Sequence, residues 1–361
     1  MSTVPFISDN WQFRCNRYAS TLPDNDALAE SNAMLWRSFK EEHRNLLLHD
    51  GDDTAEVGVV SVQQGPMRTE AFYDWQPSTG SYNHVQRLLA AHANLRCAIA
   101  GTEADRIIGA ANVNIRELTP AQMDSMCAQI VAWWDANERT FASPFSRLAG
   151  IMRNWLNGVY GDAPGGEYPS LDALRELTFD QRDIIIQTAK EILSVLRERE
   201  VIEKNAPVLV IGEGLWAESV AVELELDGIQ CRRSIDIHAG ADVDVLMFAH
   251  TQNCIDVNTA ETLKGCAVIE LMPDQVNPEA DAILSERGMA VVPDLLANCA
   301  TEIVEDWWIG GKRVATWERA LGLKLGQMWD DLEAVRQKER LTWHDAAVHL
   351  ALQRLAALWQ E

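Results

Sequence analysis

Short apolar runs alternate with longer amphipathic segments in the second half of the chain. The first run, residues 208–211, is uninterrupted and rich in β-branched side chains, which is typical of a strand buried on both faces of a parallel sheet. Further strand candidates follow at residues 231–235, 243–248, 266–271 and 289–292, with helix-like segments between them. Strands that alternate with helices in this way predict an α/β fold with a doubly wound parallel sheet.

Helical patterns dominate the chain on both sides of this region. Thr119 and Gln122 form a capping box ahead of apolar residues at helical spacing. Residues 179–199 predict a long helix that leads into the first strand. Thr342 and Asp345 form a second capping pattern, which predicts a helix close to the C-terminus.

The first predicted strand ends in a glycine turn. Residues 212–217 fit the pattern G-x-G-x-x-G/A, in which the first glycine permits the turn, the second admits a pyrophosphate and the following helix N-terminus faces the phosphates. Asp236 follows the next strand, where an acid binds the adenine ribose of NAD. The predicted cofactor-binding residues here are Gly212, Gly214, Leu215, Trp216, Ala217 and Asp236. They favour NAD over NADP, and the alternative is a turn whose glycines serve packing alone.

Composition and charge exclude several classes of partner. The 361 residues carry a formal net charge of −23, which repels nucleic acid and anionic membrane surfaces. No apolar run approaches the ~20 residues of a membrane-spanning helix, and the first residues lack the pattern of a signal or transit peptide. The seven cysteines are scattered without a C-x-x-C motif, so we expect reduced thiols and no metal site. A cytoplasmic protein is the resulting expectation.

Five further segments contain short motifs. They are N-P-E-A-D at residues 277–281, R-G-M-A-V-V-P-D-L-L-A-N at residues 287–298, L-R-C-A at residues 95–98, G-A-A-N-V-N-I at residues 109–115, and a helix pattern at residues 342–355. In order and spacing they resemble the glutamate/leucine/phenylalanine/valine dehydrogenase family, most closely the shorter leucine and valine type. The resemblance covers most of the chain.

The resemblance implies a two-domain architecture. Residues 1–200 are expected to form a substrate-binding and oligomerisation domain, residues 201–325 a Rossmann-type dinucleotide-binding domain, and residues 326–361 helices that pack back on the N-terminal domain. Because members of the family assemble as dimers to octamers, a homo-oligomer is also expected.

The resemblance further implies the NAD-dependent conversion of an amino acid to a keto acid through an imine. In that family a lysine of the G-G-A-K-G-G motif stabilises charge at the reacting carbon, and an aspartate of a P-A-x-D motif moves protons. Here Asn112 stands at the lysine position, and the segment around Pro144, where the aspartate is expected, contains no acid. A shifted alignment cannot restore the lysine, because the 149 residues from Glu41 to Ala189 contain none. Both catalytic groups are therefore predicted to be missing.

Binding positions differ from the family pattern as well. Pro273 stands where the family has an asparagine beside the nicotinamide ribose, and residues 299–301 are C-A-T instead of A-G-G. Arginines replace the lysines that bind the substrate carboxylate, and arginine retains the charge. The resemblance thus implies a cofactor contact at Asn298 and contacts to a small carboxylate ligand at Arg68, Arg96 and Asn112. For the two arginines, an exposed or interface position is the alternative.

Two functions stay open at this point. One is a diverged relative that retains the fold and NAD, does not deaminate amino acids, and serves in binding, regulation or assembly. The other is an NAD-dependent oxidoreductase with repurposed chemistry on an amino acid, imine or keto acid. For the second function, the candidate replacement acid–base groups are Glu70, Asp74, His92 and His250.

Overall fold

The computed structural model describes most of the chain. The described residues are 10–23, 26–37, 40–64, 67–69, 82–102, 109–111, 117–136, 147–175, 177, 179–237, 243–249, 255–309 and 317–360. They divide into two compact units. The first unit comprises described residues between 36 and 91 and between 104 and 180, and the second comprises those between 5 and 35, between 92 and 103, and from 181 onward.

Helices and strands follow one another along the described residues. In order they are α1 (Asn10–Ala19), α2 (Ala27–Arg37), β1 (Lys40–Asp50), β2 (Asp53–Gln64), β3 (Met67–Thr69), α3 (Tyr82–Ala100), β4 (Gly109–Ala111), α4 (Pro120–Ala136), α5 (Arg147–Leu156), α6 (Asp172–Arg175), α7 (Gln181–Glu198), β5 (Val208–Ile211), α8 (Leu215–Leu226), β6 (Cys231–Ser234), β7 (Val245–Phe248), α9 (Val257–Thr262), β8 (Ala267–Glu270), α10 (Pro278–Glu286), β9 (Ala290–Val292), α11 (Asp294–Ala297), α12 (Ala300–Ile309), α13 (Trp317–Glu339) and α14 (Trp343–Gln360).

The first unit is built around an antiparallel sheet. β2 pairs with the whole of β1 and also pairs with β3 and β4. α4 packs on β1, and the buried side chains of Met126, Ile130, Met152 and Leu171 lie in the same hydrophobic cluster. Leu48 of β1 belongs to this cluster, so the capped helix covers one side of the strand pair at that position.

The second unit contains a parallel sheet with the strand order β6-β5-β7-β8-β9. Every residue of β5, β7, β8 and β9 is buried, whereas β6 lies at the edge and is partly exposed. Continuous apolar runs are required where helices cover both faces of a sheet. The predicted α/β fold with a doubly wound parallel sheet is confirmed, and each observed strand lies within the run that predicted it.

Helix ends agree with the capping patterns. The Thr119 Oγ1 atom accepts a hydrogen bond from the Gln122 N–H at 3.2 Å, and the Gln122 Oε1 atom accepts one from the Thr119 N–H at 3.1 Å. At the start of α14, the Asp345 N–H donates to Thr342 Oγ1 at 3.2 Å. Both predicted caps are confirmed, and so is the helix predicted over residues 179–199. The domain limits at residues 200 and 325 stay a prediction.

Candidate functional site

The glycine turn lies between β5 and α8 in the second unit. Gly212 has a φ of 151°, and Gly214, the N-cap of α8, has a φ of 83° and a ψ of −175°. These are backbone conformations that favour glycine. A β-carbon added to Gly214 would meet no atom within 4 Å, so the space in front of the turn is open. Ala217 is fully buried, as expected for the small residue that lets the helix approach the sheet. An open turn at a helix N-terminus is suited to bind an anion such as a pyrophosphate.

The sheet order places this turn at a topological switch point. β6 and β7 flank β5 on opposite sides. The strand that follows β5 along the chain therefore lies on one side of it, and the later strands lie on the other side. Ligands of open α/β sheets bind in the crevice at such a point. His250 and its neighbours up to residue 254, which follow β7, lie outside the described residues.

Asp236 lies two residues beyond the end of β6 and is exposed. Its backbone N–H donates to the Ser234 Oγ atom at 2.9 Å, which fixes the turn that carries it. Leu215, next to the second glycine, is 64% exposed, and Trp216 is half-buried. The exposed carboxylate at the end of this strand is in the topological position that the ribose prediction requires.

Asn298 follows α11, and its backbone N–H donates to the Asp294 carbonyl at 2.7 Å. Its side-chain Nδ2 atom is buried and has no hydrogen-bond partner among the described residues. A buried amide donor without a partner is costly, so such atoms in native proteins commonly have a role beyond packing.

Arg96 belongs to the last turns of α3. Its Nε atom donates to Glu302 Oε1 at 3.0 Å, and the Glu302 side chain is only 1% exposed. The carboxylate of Glu302, in α12, therefore lies directly against the guanidinium of Arg96. The sequence predicts that this guanidinium binds the carboxylate of a ligand. The side chains of Arg68, in β3, and of Glu70 and Asp74 are outside the described residues, and so are Asn112 and Pro144. The predicted roles of all these residues stay predictions.

His92 and Arg96 are one helical turn apart on α3, and they contact Asp294 at the start of α11 and Glu302 in α12. The Nε2 atom of His92 lies 3.7 Å from Asp294 Oδ2, and both side chains are buried. Asp294, Asn298 and Glu302 are spaced four residues apart, so the free amide of Asn298 lies between the two carboxylates along the chain. Reasoning from sequence missed the two carboxylates, and only their i, i+4 spacing with Asn298 could have indicated them.

A second group of buried charges lies around His344. The His344 Nδ1 atom is 2.8 Å from Asp281 Oδ1, and Nε2 is 2.7 Å from Glu270 Oε2. Burial and the Arg14 charge lower the pKa of His344, but the carboxylates of Asp281 and Glu270 outweigh them and raise it to about 9. Burial raises the pKa of Asp281, whereas His344 and Arg14 hold it well below its usual range.

The same network reaches the residues beside Asn298. Glu270 accepts hydrogen bonds from the backbone N–H groups of Val276 at 2.7 Å and of Asp294 at 3.1 Å. Asp294 in turn accepts from the Trp11 indole at 3.0 Å and from the Asp274 N–H at 3.1 Å. The loops at the carboxyl ends of β8 and β9 are thus held by side chains from α1 and α14.

The described residues show neither a metal-binding cluster nor a helix suited to cross a bilayer. Six of the cysteines lie in this part of the chain, and all six are free thiols.

Comparisons with known proteins agree with this geometry. Residues 181–304 match the family model described as Glutamate/Leucine/Phenylalanine/Valine dehydrogenase. The glutamate dehydrogenase of Thermotoga maritima is 35% identical over 121 residues, which are 32% of this chain and 29% of that relative. The NAD-specific glutamate dehydrogenase A of Halobacterium salinarum is 33% identical over 121 residues, or 28% of its length. The sequence matches therefore span less than a third of these relatives.

Solved structures extend the likeness in fold to the whole chain. The hetero-hexameric glutamate dehydrogenase of Thermus thermophilus, in a leucine-bound form, has a TM-score of 0.73 at 19% identity, covering 99% of this chain and 97% of that one. The family-model match and the fold together indicate an amino-acid-dehydrogenase-like protein of the α/β class. Over residues 181–304 the chain is similar to the glutamate/leucine/phenylalanine/valine dehydrogenase family, in agreement with the motifs at residues 277–281 and 287–298. The closer likeness to the leucine and valine type stays a prediction.

Proposed function

We propose that this protein binds NAD, does not catalyse oxidative deamination, and serves in ligand binding, regulation or assembly. The observation that carries the proposal is the open glycine turn at the switch point of the sheet, together with the partnerless amide of Asn298. Gly212 and Gly214 would admit the pyrophosphate, Asp236 would bind the ribose and Asn298 would donate to a carbonyl of the cofactor. When bound, the nicotinamide ring of NAD would supply a hydride acceptor.

Two positions in the sequence lack the groups that oxidative deamination needs. Asn112 can donate a hydrogen bond, but it carries no charge and no titrating proton. The segment around Pro144 offers no carboxylate for proton transfer. Loss of a general acid–base group costs about 10²–10⁴ in rate, and loss of electrostatic stabilisation costs a similar factor. Two such losses would leave little of the ordinary reaction.

The ion pair of Arg96 with Glu302 supports the same conclusion. An arginine binds a ligand carboxylate best when its fork of donors is unopposed. Here a buried carboxylate already accepts from Nε. A small carboxylate would have to compete with Glu302 at Arg96 or bind at Arg68, so an ordinary amino acid is a poor ligand for this arrangement.

Calorimetric titration with NADH, and with NADPH for comparison, tests the cofactor part of the proposal. We expect saturable binding of NADH, weaker binding of NADPH, and no amino-acid-dependent reduction of NAD. Gly214→Ala should abolish NADH binding, because the added carbon enters the space that the pyrophosphate needs. Gly228→Ala is the matched control: Gly228 has a φ of 78°, also has open space around it, and lies at the opposite end of α8. Equal NADH affinity in the two variants would contradict the assignment of the turn.

A second function is an NAD-dependent oxidoreductase with repurposed chemistry, and His92 is the observation that favours it. Its Nε2 atom has no hydrogen bond within the described residues and lies beside Asp294, which can orient the ring. The test follows NADH oxidation with a panel of imines and keto acids. This function requires turnover that falls by at least ~10²-fold in His92→Gln without loss of NADH binding. Absence of turnover across the panel would leave the non-catalytic function.

We further propose that the protein is a cytoplasmic homo-oligomer. The likeness in fold to a hetero-hexameric glutamate dehydrogenase supports an assembling protein. Light scattering coupled to gel filtration should give a mass of two subunits or more, and a monomer at micromolar concentration would contradict this part of the proposal.

A further inference from the structure

The side chain of Glu270, at the end of β8, connects α14 to the segment that carries Asn298. Its Oε2 atom lies 2.7 Å from His344 Nε2 and also accepts the backbone N–H of Asp294, the first residue of α11, at 3.1 Å. The Asn298 N–H in turn donates to the Asp294 carbonyl at 2.7 Å. A single carboxylate oxygen therefore stands between His344 and the short helix that precedes Asn298.

Both ring nitrogens of His344 contact carboxylates. Nε2 contacts Glu270, and Nδ1 lies 2.8 Å from Asp281 Oδ1. An ionised carboxylate only accepts hydrogen bonds, so each contact needs an N–H on the ring, and only the protonated imidazole has two. The three side chains are at most 2% exposed, so solvent does not compensate for a missing donor. A neutral ring could donate to one carboxylate and would present a lone pair to the other.

Charged groups from four elements face His344. Asp281 of α10 and Glu270 of β8 favour its protonated form, whereas Arg14 of α1 opposes it. Asp294 of α11 also interacts with His344 electrostatically. Burial lowers the pKa of His344, but the two contacting carboxylates outweigh burial and Arg14 and raise it to about 9. The form that donates from both nitrogens is therefore the ordinary one at neutral pH.

We propose that protonated His344 is a positioning residue for the cofactor site, because it fixes Glu270 Oε2 against the Asp294 N–H and thereby holds Asn298 in place. Loss of the proton leaves Nε2 and Oε2 as two acceptors that face each other at 2.7 Å. Glu270 then has to move, and the first turn of α11 loses the acceptor of its N–H group. The inference rests on the proposed NAD site and makes cofactor binding depend on this proton.

The first test is the NADH affinity of the wild type as a function of pH, measured by calorimetry between about pH 7 and pH 10. Because protonation supports the site, we expect a constant Kd up to about pH 8 and a rise of at least ~10-fold as the pH passes about 9. A Kd that stays constant over the whole range would overturn the proposal.

His344→Gln assigns the pH dependence to this ring. Glutamine places an oxygen where one ring nitrogen was, so it can donate to only one of the two carboxylates. The variant should bind NADH at neutral pH as weakly as the wild type does at high pH, without a further rise in Kd. His349→Gln, on the same helix but bonded to Tyr18, is the control and should keep the wild-type profile. A wild-type profile in His344→Gln would contradict the proposal.

Glu270→Gln tests the link between His344 and α11. It removes one of the two carboxylate oxygens that hold His344 and the Asp294 N–H, so NADH binding should weaken by at least ~10-fold. The double variant with His344→Gln should bind no more weakly than Glu270→Gln alone, because both changes break the same contact. Additive losses would show that His344 does not act through Glu270.

Hydrogen exchange without cofactor separates this proposal from the proposed function. In His344→Gln we expect lost protection in peptides that cover residues 290–298, whereas peptides of β5 and β7 should keep wild-type protection. This result in a protein that binds no NADH would uphold the positioning and remove the cofactor site. Wild-type protection of residues 290–298, or a loss spread evenly over the second unit, would overturn the positioning whether or not NADH binds.

Discussion

At the scale of single residues, the second unit is notable for buried ionisable groups whose partners come from distant parts of the chain. Arg14, Asp281 and His344 are each at most 2% exposed at the side chain, and Arg14 and His344 both contact Asp281. Removing one partner of such a set leaves an unbalanced buried charge, which costs more than the pair contributes. The network should therefore be visible in the pH dependence of stability.

The first prediction concerns His344. Its pKa is raised from 6.5 to about 9 in the folded protein, so protonation contributes stability that is fully present below pH 6.5 and is lost as the pH rises through 9. The shift corresponds to roughly 3 kcal/mol. We expect the free energy of unfolding, from urea titrations between pH 6.5 and 9.5, to fall across this window in the wild type.

His344→Gln should be less stable at pH 6.5 and should lose most of this pH dependence. His349→Gln is the control on the same helix: His349 bonds to Tyr18 and burial lowers its pKa, so its removal should leave the fall across this window in place. A His344→Gln protein with the wild-type slope would disprove the assignment.

The second prediction concerns Glu302. Replacement by glutamine retains the shape and an acceptor for Arg96 but removes the competing charge. Glu302→Gln should therefore bind a small keto acid at least ~10-fold more tightly than the wild type, as measured by calorimetry. The additional substitution Arg96→Gln should remove the gain. If Glu302→Gln gains no affinity, Arg96 is not part of an anion site.

At the scale of secondary structure, the capping box of α4 gives the third prediction. Thr119→Ala removes the acceptor for the Gln122 N–H and should destabilise the first unit by about 1 kcal/mol in chemical denaturation. Thr119→Ser retains the oxygen and should cost only a few tenths of that amount. Equal losses in both variants would indicate that the methyl group, and not the cap, stabilises the helix.

The elements that sequence predicted well are those whose signal is local. The strands β5, β7 and β9 are continuous apolar runs, β8 is apolar up to Glu270, and both caps are set by residues three positions apart. The network around His344 could not be predicted in this way, because Asp281 and Glu270 are 63 and 74 residues away and meet it only through the fold. The same holds for Arg96 and Glu302, which are 206 residues apart.

At the scale of the whole molecule, the candidate cofactor residues all belong to one compact unit. The glycine turn, Asp236 and Asn298 lie in the second unit together with Arg96, whereas Arg68 and Asn112 lie in the range of the first. A ligand that binds only a folded unit stabilises that unit by mass action. Binding of a cofactor to these residues should therefore stabilise the second unit more than the first.

The last prediction uses this separation. NADH at 100 times its dissociation constant should stabilise the second unit by about 2.7 kcal/mol. In hydrogen exchange, we expect added protection in β5, β7, β8 and β9 and little change in β1 and β2, which belong to the first unit. Gly214→Ala should abolish the effect, and Gly228→Ala should preserve it. Protection that rises equally in both units would show that the cofactor contacts residues beyond the glycine turn, Asp236 and Asn298, and would move the proposed site to include the first unit.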